Sequence, residues 1–186
     1  MTKPQIALNL IRQVMEQGVA PSIVLADAGY GNETVFGDQV TALGLVYAVG
    51  IGPGTSVWAP GTAPLPAKKW TGNGRPPTCL RHDAKHKPVS VKKLAQSLAQ
   101  DAWQIIRWRE GVDQELSSRF ARLRVRPAHR DHKLNHPTSG RVAADRMAQG
   151  RRRAKYWFST LPVEIAFDKM VDIVKLRWRI ERDYQG

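Results

Sequence analysis

Ser22-Ile-Val-Leu-Ala-Asp-Ala-Gly-Tyr-Gly31 is the stretch on which the fold turns. Its first six residues form a short apolar run that ends in an acid, the composition of a strand buried on both faces. Ala28 to Gly31 then reads as a turn. Upstream, Ile6, Leu10 and Val14 recur every four residues with Ala7, Ile11 and Met15 beside them. That spacing predicts an amphipathic helix over 6–18, with Gly18 at its C-terminus. Downstream, Asn32 can cap a second helix to about Leu43, and Gly44 stops it. Leu45-Val-Tyr-Ala-Val-Gly-Ile51 is a second buried strand, closed by Gly52-Pro53-Gly54. Helix, strand, helix, strand is the order of an α/β sheet with parallel neighbours. In such sheets functional side chains gather beyond the carboxyl ends of the strands, and Asp27 stands at such an end. A turn aspartate ahead of Gly29 accounts for the same residue without any function, so both readings stay open here.

Beyond Pro53 the character changes. Residues 53–88 are rich in Pro and Gly and carry Lys68, Lys69, Arg75, Arg81, Lys85 and Lys87, which predicts a basic, loop-rich insertion. Trp58 and Trp70 read as packing anchors, although an aromatic in a basic loop can also stack on a base. Ser90 caps a short helix to about Ala99. Trp103–Arg109 reads as a strand, with Glu110-Gly111 as its turn. Leu116–Arg126 closes with basic and apolar residues alternating at period two, a half-exposed strand with a basic face. Lys155–Thr160 is a further strand. Residues 137–154 fit none of this: the run from Gly140 has little β character and holds five arginines against one acid, Asp145.

The last stretch is predicted as a helix opening at Pro162 and Glu164. Val163, Phe167, Met170 and Val174 recur at helical spacing, and the same steps continue through Arg177, Glu181 and Tyr184. At roughly 100° per residue, Glu181 lies at the centre of this apolar stripe. A carboxylate there is costly unless a cation, a metal or hydrogen bonds compensate it. An Arg177–Glu181 pair one turn apart is the plain account; a metal-binding glutamate projected into an active site is the functional one.

Composition sets outer limits. The chain has 186 residues, 42% of them hydrophobic, enough for one domain with a sizeable core. No apolar run approaches ~20 residues, and the N-terminal residues lead into no signal-like segment, so a cytoplasmic location is expected. One cysteine, Cys79, excludes a disulfide or a Cys-based zinc site within a monomer. His82 and His86 have metal-ligand spacing but sit in a polar loop, and His129, His132 and His136 read as solvated. Twenty-nine Lys and Arg against sixteen Asp and Glu leave a formal charge of +13, a strong bias towards polyanions, usually nucleic acid.

Taken together, these blocks resemble the DDE transposases of bacterial insertion sequences. Leu25-Ala-Asp-Ala-Gly-Tyr-Gly31 is similar to the segment around their second catalytic aspartate. Arg177-Trp-Arg-Ile-Glu181-Arg-Asp-Tyr-Gln185 resembles their Tyr-Arg-Glu-Lys signature, whose Glu completes the catalytic triad. Trp108-Arg-Glu-Gly111 and Lys155-Tyr-Trp-Phe-Ser-Thr-Leu-Pro162 look like parts of their inserted subdomain. The resemblance implies an α/β fold with an RNase H-like catalytic core and a β-rich insertion between the last core strand and the catalytic helix. It divides the chain into a partial core over 1–52, an insertion over 53–160 and a core helix over 161–186. It implies Asp27 and Glu181 as catalytic residues and ligands of two Mg²⁺ (or Mn²⁺) ions, with Arg177 orienting Glu181 or contacting a phosphate. The implied reaction is phosphodiester cleavage followed by strand transfer. The implied partner is DNA, both element ends and target, with a homodimer as the assembly and no membrane.

Three departures from the family pattern are legible. The family's first aspartate lies on a strand ahead of the helix that starts near Ile6; Glu16, on that helix, cannot replace it. The N-terminal strands of the core are therefore expected to be missing and the chain to be catalytically incomplete. Val174 stands where the signature Tyr belongs, and the signature Lys would fall past Gly186. Residues 140–154 replace an apolar and acidic strand; as a hypothesis, a local frameshift restored before Lys155 explains this. The alternative reading of the whole chain is a non-enzymatic basic DNA- or RNA-binding protein.

Overall fold

The computed structural model of the protein describes residues 1–110, 114–128, 141–147 and 154–183, and the side chains at 34, 109–110, 114–115, 141–147 and 177–183 lie outside the description. Helix α1 (Lys3–Glu16) is followed by strand β1 (Val24–Ala26), a one-turn helix α2 (Ala28–Gly31), helix α3 (Thr34–Ala42) and strand β2 (Tyr47–Ile51). Strands β3 (Ser56–Trp58) and β4 (Val89–Ser90), helix α4 (Val91–Gln96) and strands β5 (Gln104–Glu110), β6 (Gln114–Pro127), β7 (Arg141–Met147) and β8 (Lys155–Ser159) come next, before the final helix α5 (Phe167–Asp183). The strands lie in the order β1-β2-β8-β7-β6-β3-β4, with β5 also paired to β6. Among the described residues only β1 and β2 run parallel; the other pairings are antiparallel. The long β6 joins two sheets: its body pairs with β5 and β7, and its last two residues pair with β3 of the smaller sheet. This is the mixed α/β architecture expected of a DDE nuclease.

The core forms on both faces of the larger sheet. Val24, Ala26, Tyr47, Val49, Ile51, Tyr156 and Phe158 pack with Leu8 of α1 and with Phe36 and Val40 of α3. On the opposite face Leu25, Ala48, Trp157, Phe120 and Trp108 pack against Val171 and Val174 of α5. Side chains alternate across a strand with period two, so each strand serves both layers and reads as continuously apolar. The five residues of β2 are all buried.

Several boundaries differ from the sequence expectations. Helix α1 begins at Lys3, with Thr2 ahead of it and Pro4 in its first turn, where a missing N–H costs nothing. Its buried side is Leu8 with Ala7, Ile11 and Met15, whereas Ile6, Leu10 and Val14 are exposed. Asn32 is the C-cap of α2 rather than the cap of α3, which Glu33 precedes. The final helix starts at Phe167: Pro162 to Ala166 forms turns, and Val163 is 55% exposed. A proline and an early acid suit a first turn, but they also suit the turn before it.

The largest correction concerns β7. The little β character expected over 140–154 is overturned for Arg141–Met147, which pairs on one side with Arg119 to Val125 and on the other with Lys155 to Ser159. Two waiting edges offer backbone partners on both sides, and ladder hydrogen bonds do not depend on side-chain type; tertiary pairing overrides weak propensity.

Candidate active site

Asp27 directly follows β1 and keeps extended backbone, at φ −87° and ψ −177°. Leu25 packs on the α5 side of the sheet, so alternation carries position 27 to that same side. The Asp27 carboxylate then caps α2: Oδ1 accepts the Gly29 N–H at 2.8 Å, and its carbonyl accepts from Tyr30 and Gly31 at 3.1 and 3.0 Å. The turn role and the strand-end position thus belong to one half-buried residue, and capping does not argue against a further role.

Glycines fix the tightness of this corner. A Cβ on Gly31 would stand 1.9 Å from the Gly50 carbonyl oxygen, and one on Gly50 would meet the Ala28 nitrogen at 3.1 Å and the Asp27 carbonyl carbon at 3.3 Å. The backbone of α2 therefore lies directly on β2, and only glycine allows that approach. Asn32 clasps the far side, its Oδ1 accepting from Gly52 N–H at 2.8 Å and from the Thr55 hydroxyl at 3.3 Å. Sequence reasoning passed over Gly50 as an ordinary strand residue, although a glycine inside an apolar strand is the available signal of close backbone approach.

Arg177 and Glu181 are both on α5, and their side chains lie outside the described residues. What precedes them is well placed: Met170, Val171 and Val174 are buried, and α5 packs against β1, β2 and β5. Met170 and Ile173 lie with Ile23 and Val46 at the beginnings of β1 and β2. Lys175 sets its Nζ 4.2 Å above the Trp108 ring. Position 181 follows Val174 by about two turns and so shares its helical register. Asp27 follows a strand against which α5 packs, and position 181 lies further along that helix. Among the described residues, no three of His, Cys, Asp and Glu come together as a metal-ligand set. His86 is instead held by Trp58, with ring centroids 5.1 Å apart, and by the Ala63 carbonyl; His129, His132 and His136 lie outside the described residues.

The basic face expected of Leu116–Arg126 is present, with Arg122 and Arg124 exposed between buried Ala121 and Val125. Arg122 donates to the Ile165 carbonyl at 2.9 Å and lies 5.2 Å from the centre of the Phe167 ring. It shares a cross-strand row with Ala144, Trp157 and Gly50, three strand spacings or roughly 14 Å from the Asp27 corner. That separation makes Arg122 a clamp on the start of α5, not a neighbour of Asp27.

No helix among the described residues is long and apolar enough to cross a membrane. None of the curated proteins compared with the chain matches it. The family model described as DDE superfamily endonuclease matches residues 1–115, more than half of the chain, and the matched part contains the whole Asp27 corner. On that match the chain belongs to the DDE superfamily endonucleases, a transposase-type family.

Proposed function

We propose that the protein is a DNA transposase with an RNase H-like core, in which Asp27 and Glu181 are metal-binding catalytic carboxylates and Arg177 orients Glu181 or contacts a phosphate. The observation that carries this reading is the family match across Asp27, at the end of the half-buried edge strand β1 and on the α5 side of the sheet. The register of α5 supports Glu181 as its companion. Signature residue Tyr is replaced by Val174, which is buried against Ala48 and Trp157, so that position acts in packing here. The division into a core over 1–52, an insertion over 53–160 and a helix over 161–186 belongs to the same proposal.

The donor set fits a hard divalent cation, since carboxylate oxygens suit Mg²⁺ or Mn²⁺. Held by Asp27 and Glu181, such ions would supply activation of the attacking oxygen and stabilisation of the leaving one. The chain's own part is to hold the carboxylates rigidly, which the Gly31–Gly50 contact and the Gly29 hydrogen bond do for Asp27. A third carboxylate on a strand ahead of α1 is part of the family pattern, and in this chain the only acid before Asp27 is Glu16, on α1. These 186 residues by themselves are therefore proposed to bind metal weakly and to cut poorly.

The test uses Mn²⁺ as a paramagnetic probe on the purified chain, with strand-cutting measured beside it. Broadening of the Gly29 and Gly50 amides that is lost in Asp27→Ala and weakened in Glu181→Ala is expected, with little cutting. Broadening that ignores both substitutions, together with salt-sensitive DNA binding, would establish a non-enzymatic binder instead. Robust cutting that requires Asp27 would confirm the site and overturn the proposal that these residues by themselves cut poorly.

A further inference from the structure

Residues 66–80 form a loop whose base is fixed and whose tip is open. Leu65 and Arg81 exchange backbone hydrogen bonds of 2.8 and 2.9 Å, and the Arg81 Nε donates to the Pro66 carbonyl at 3.1 Å. Leu80 is buried, while each residue from 68 to 79 is exposed. Just beyond the base, Asp83 turns the chain by accepting the Lys85 and His86 amides at 2.9 and 2.7 Å. His86 then packs on Trp58, the true anchor of this region, only 1% exposed.

Trp70 behaves in the opposite way. It is 51% exposed, and its indole N–H donates to the Gly74 carbonyl at 3.2 Å across a turn in which Gly72 and Gly74 take positive φ. The loop thus satisfies the one polar atom of the indole internally and leaves ring surface in water. A single exposed aromatic is ordinary by itself; what distinguishes Trp70 is that its polar atom is already satisfied and that its neighbours in sequence are cations. Lys68 and Lys69 immediately precede it and Arg75 follows, and the loop from 66 to 80 holds no acid. A flat aromatic flanked by exposed cations is the combination that binds single-stranded nucleic acid: bases stack on the ring while the cations follow the backbone.

We infer that this loop is a stacking site for an unpaired DNA base, with Trp70 as the platform and Lys68, Lys69 and Arg75 as phosphate contacts. The inference rests on DNA being the substrate of this endonuclease, and it is independent of whether Asp27 and Glu181 bind metal. Cutting and rejoining DNA exposes unpaired or frayed ends, and a platform beside phosphate contacts would hold one. Because every base has a ring face, the preference is for unpaired structure and not for sequence.

The experiment compares the full chain with W70A, W70F and the double variant K68Q/K69Q. The probes are a short single-stranded DNA carrying one fluorescent base analogue, the blunt duplex of the same sequence, and the corresponding RNA strand. W70A should weaken single-strand binding by about 5- to 100-fold and abolish quenching of the analogue. W70F should keep most of both, and duplex binding should not change with either. K68Q/K69Q should weaken both DNA forms and flatten their salt dependence. The inference is overturned if W70A binds the single strand like the parent, if W70A weakens single-strand and duplex binding equally, if the parent binds no single strand, or if RNA is the strand that responds to Trp70. Since Trp70 is solvent-exposed, W70A should fold; an unchanged circular dichroism spectrum checks this. Failure of the Mn²⁺ experiment with these results intact would remove the metal site and leave the stacking site standing.

Discussion

At the scale of single residues, the Asp27 corner is set by what cannot be there. Alanine at position 31 would drive its Cβ into the Gly50 carbonyl oxygen, a backbone atom with no rotamer to escape into. Gly31→Ala should therefore cost about 3 kcal/mol or more, the upper range for overpacking, whereas Gly50→Ala, with contacts of 3.1 Å and longer, should cost about 1 kcal/mol. Urea denaturation of the two variants measures the difference, and equal midpoints would contradict the contact. Asp83 supplies a pH prediction. The His86 amide, helped by the Lys85 amide and the charges of His86 and Arg81, holds its carboxyl below the ordinary value of 3.8 against the opposing cost of desolvation. A depressed carboxyl stabilises its turn fully above the unfolded value and loses that contribution as pH falls through the folded one. The His86 amide resonance should accordingly titrate with a midpoint below 3.8; a midpoint above it would show that the turn does not favour the ionised form.

At the scale of elements, α5 decides whether Glu181 belongs to the sheet side. Met170, at 1% exposure, should lose about 2–5 kcal/mol of stability on replacement by alanine, while Leu176, at 41%, should lose less than about 0.5 kcal/mol. Denaturation midpoints that reversed this order would rotate the helix and take position 181 off the buried register. Strand β7 shows the limit of propensity. Its arginines and alanines gave no strand signal, yet β6 and β8 each present a backbone edge that it fills. Because those ladders use backbone groups alone, the existence of β7 leaves the frameshift hypothesis where it was. The coding DNA tests it: compensating insertions and deletions that restore an apolar strand are expected, and their absence ends the idea.

At the scale of the whole molecule, the formal charge of +13 and the open basic loop predict DNA binding whose affinity falls steeply with salt. Anisotropy titrations across salt concentration should give a linear decline of log affinity with log salt, and a flat response would remove phosphate contact as the source of binding. Much of the fold was legible beforehand. The apolar runs ending at Asp27 and Ile51, the helices before and after the first of them and the cap at Ser90 depend on local periodicity and local hydrogen bonds, and they appear within a few residues of where they were read, although β1 at the sheet edge is half-buried where a strand buried on both faces was expected. The sequence by itself determined the family resemblance, the basic character, and Asp27 at a strand end, because each is a matter of residue type and short spacing. Only the tertiary structure decided that Gly31 must lie on Gly50, that the exposed stripe of α1 is Ile6, Leu10 and Val14, that Trp58 is buried while Trp70 is not, and that Arg141–Met147 is a strand. Those outcomes turn on which surfaces meet across long stretches of chain, and a contact between distant segments has no period for local sequence to display.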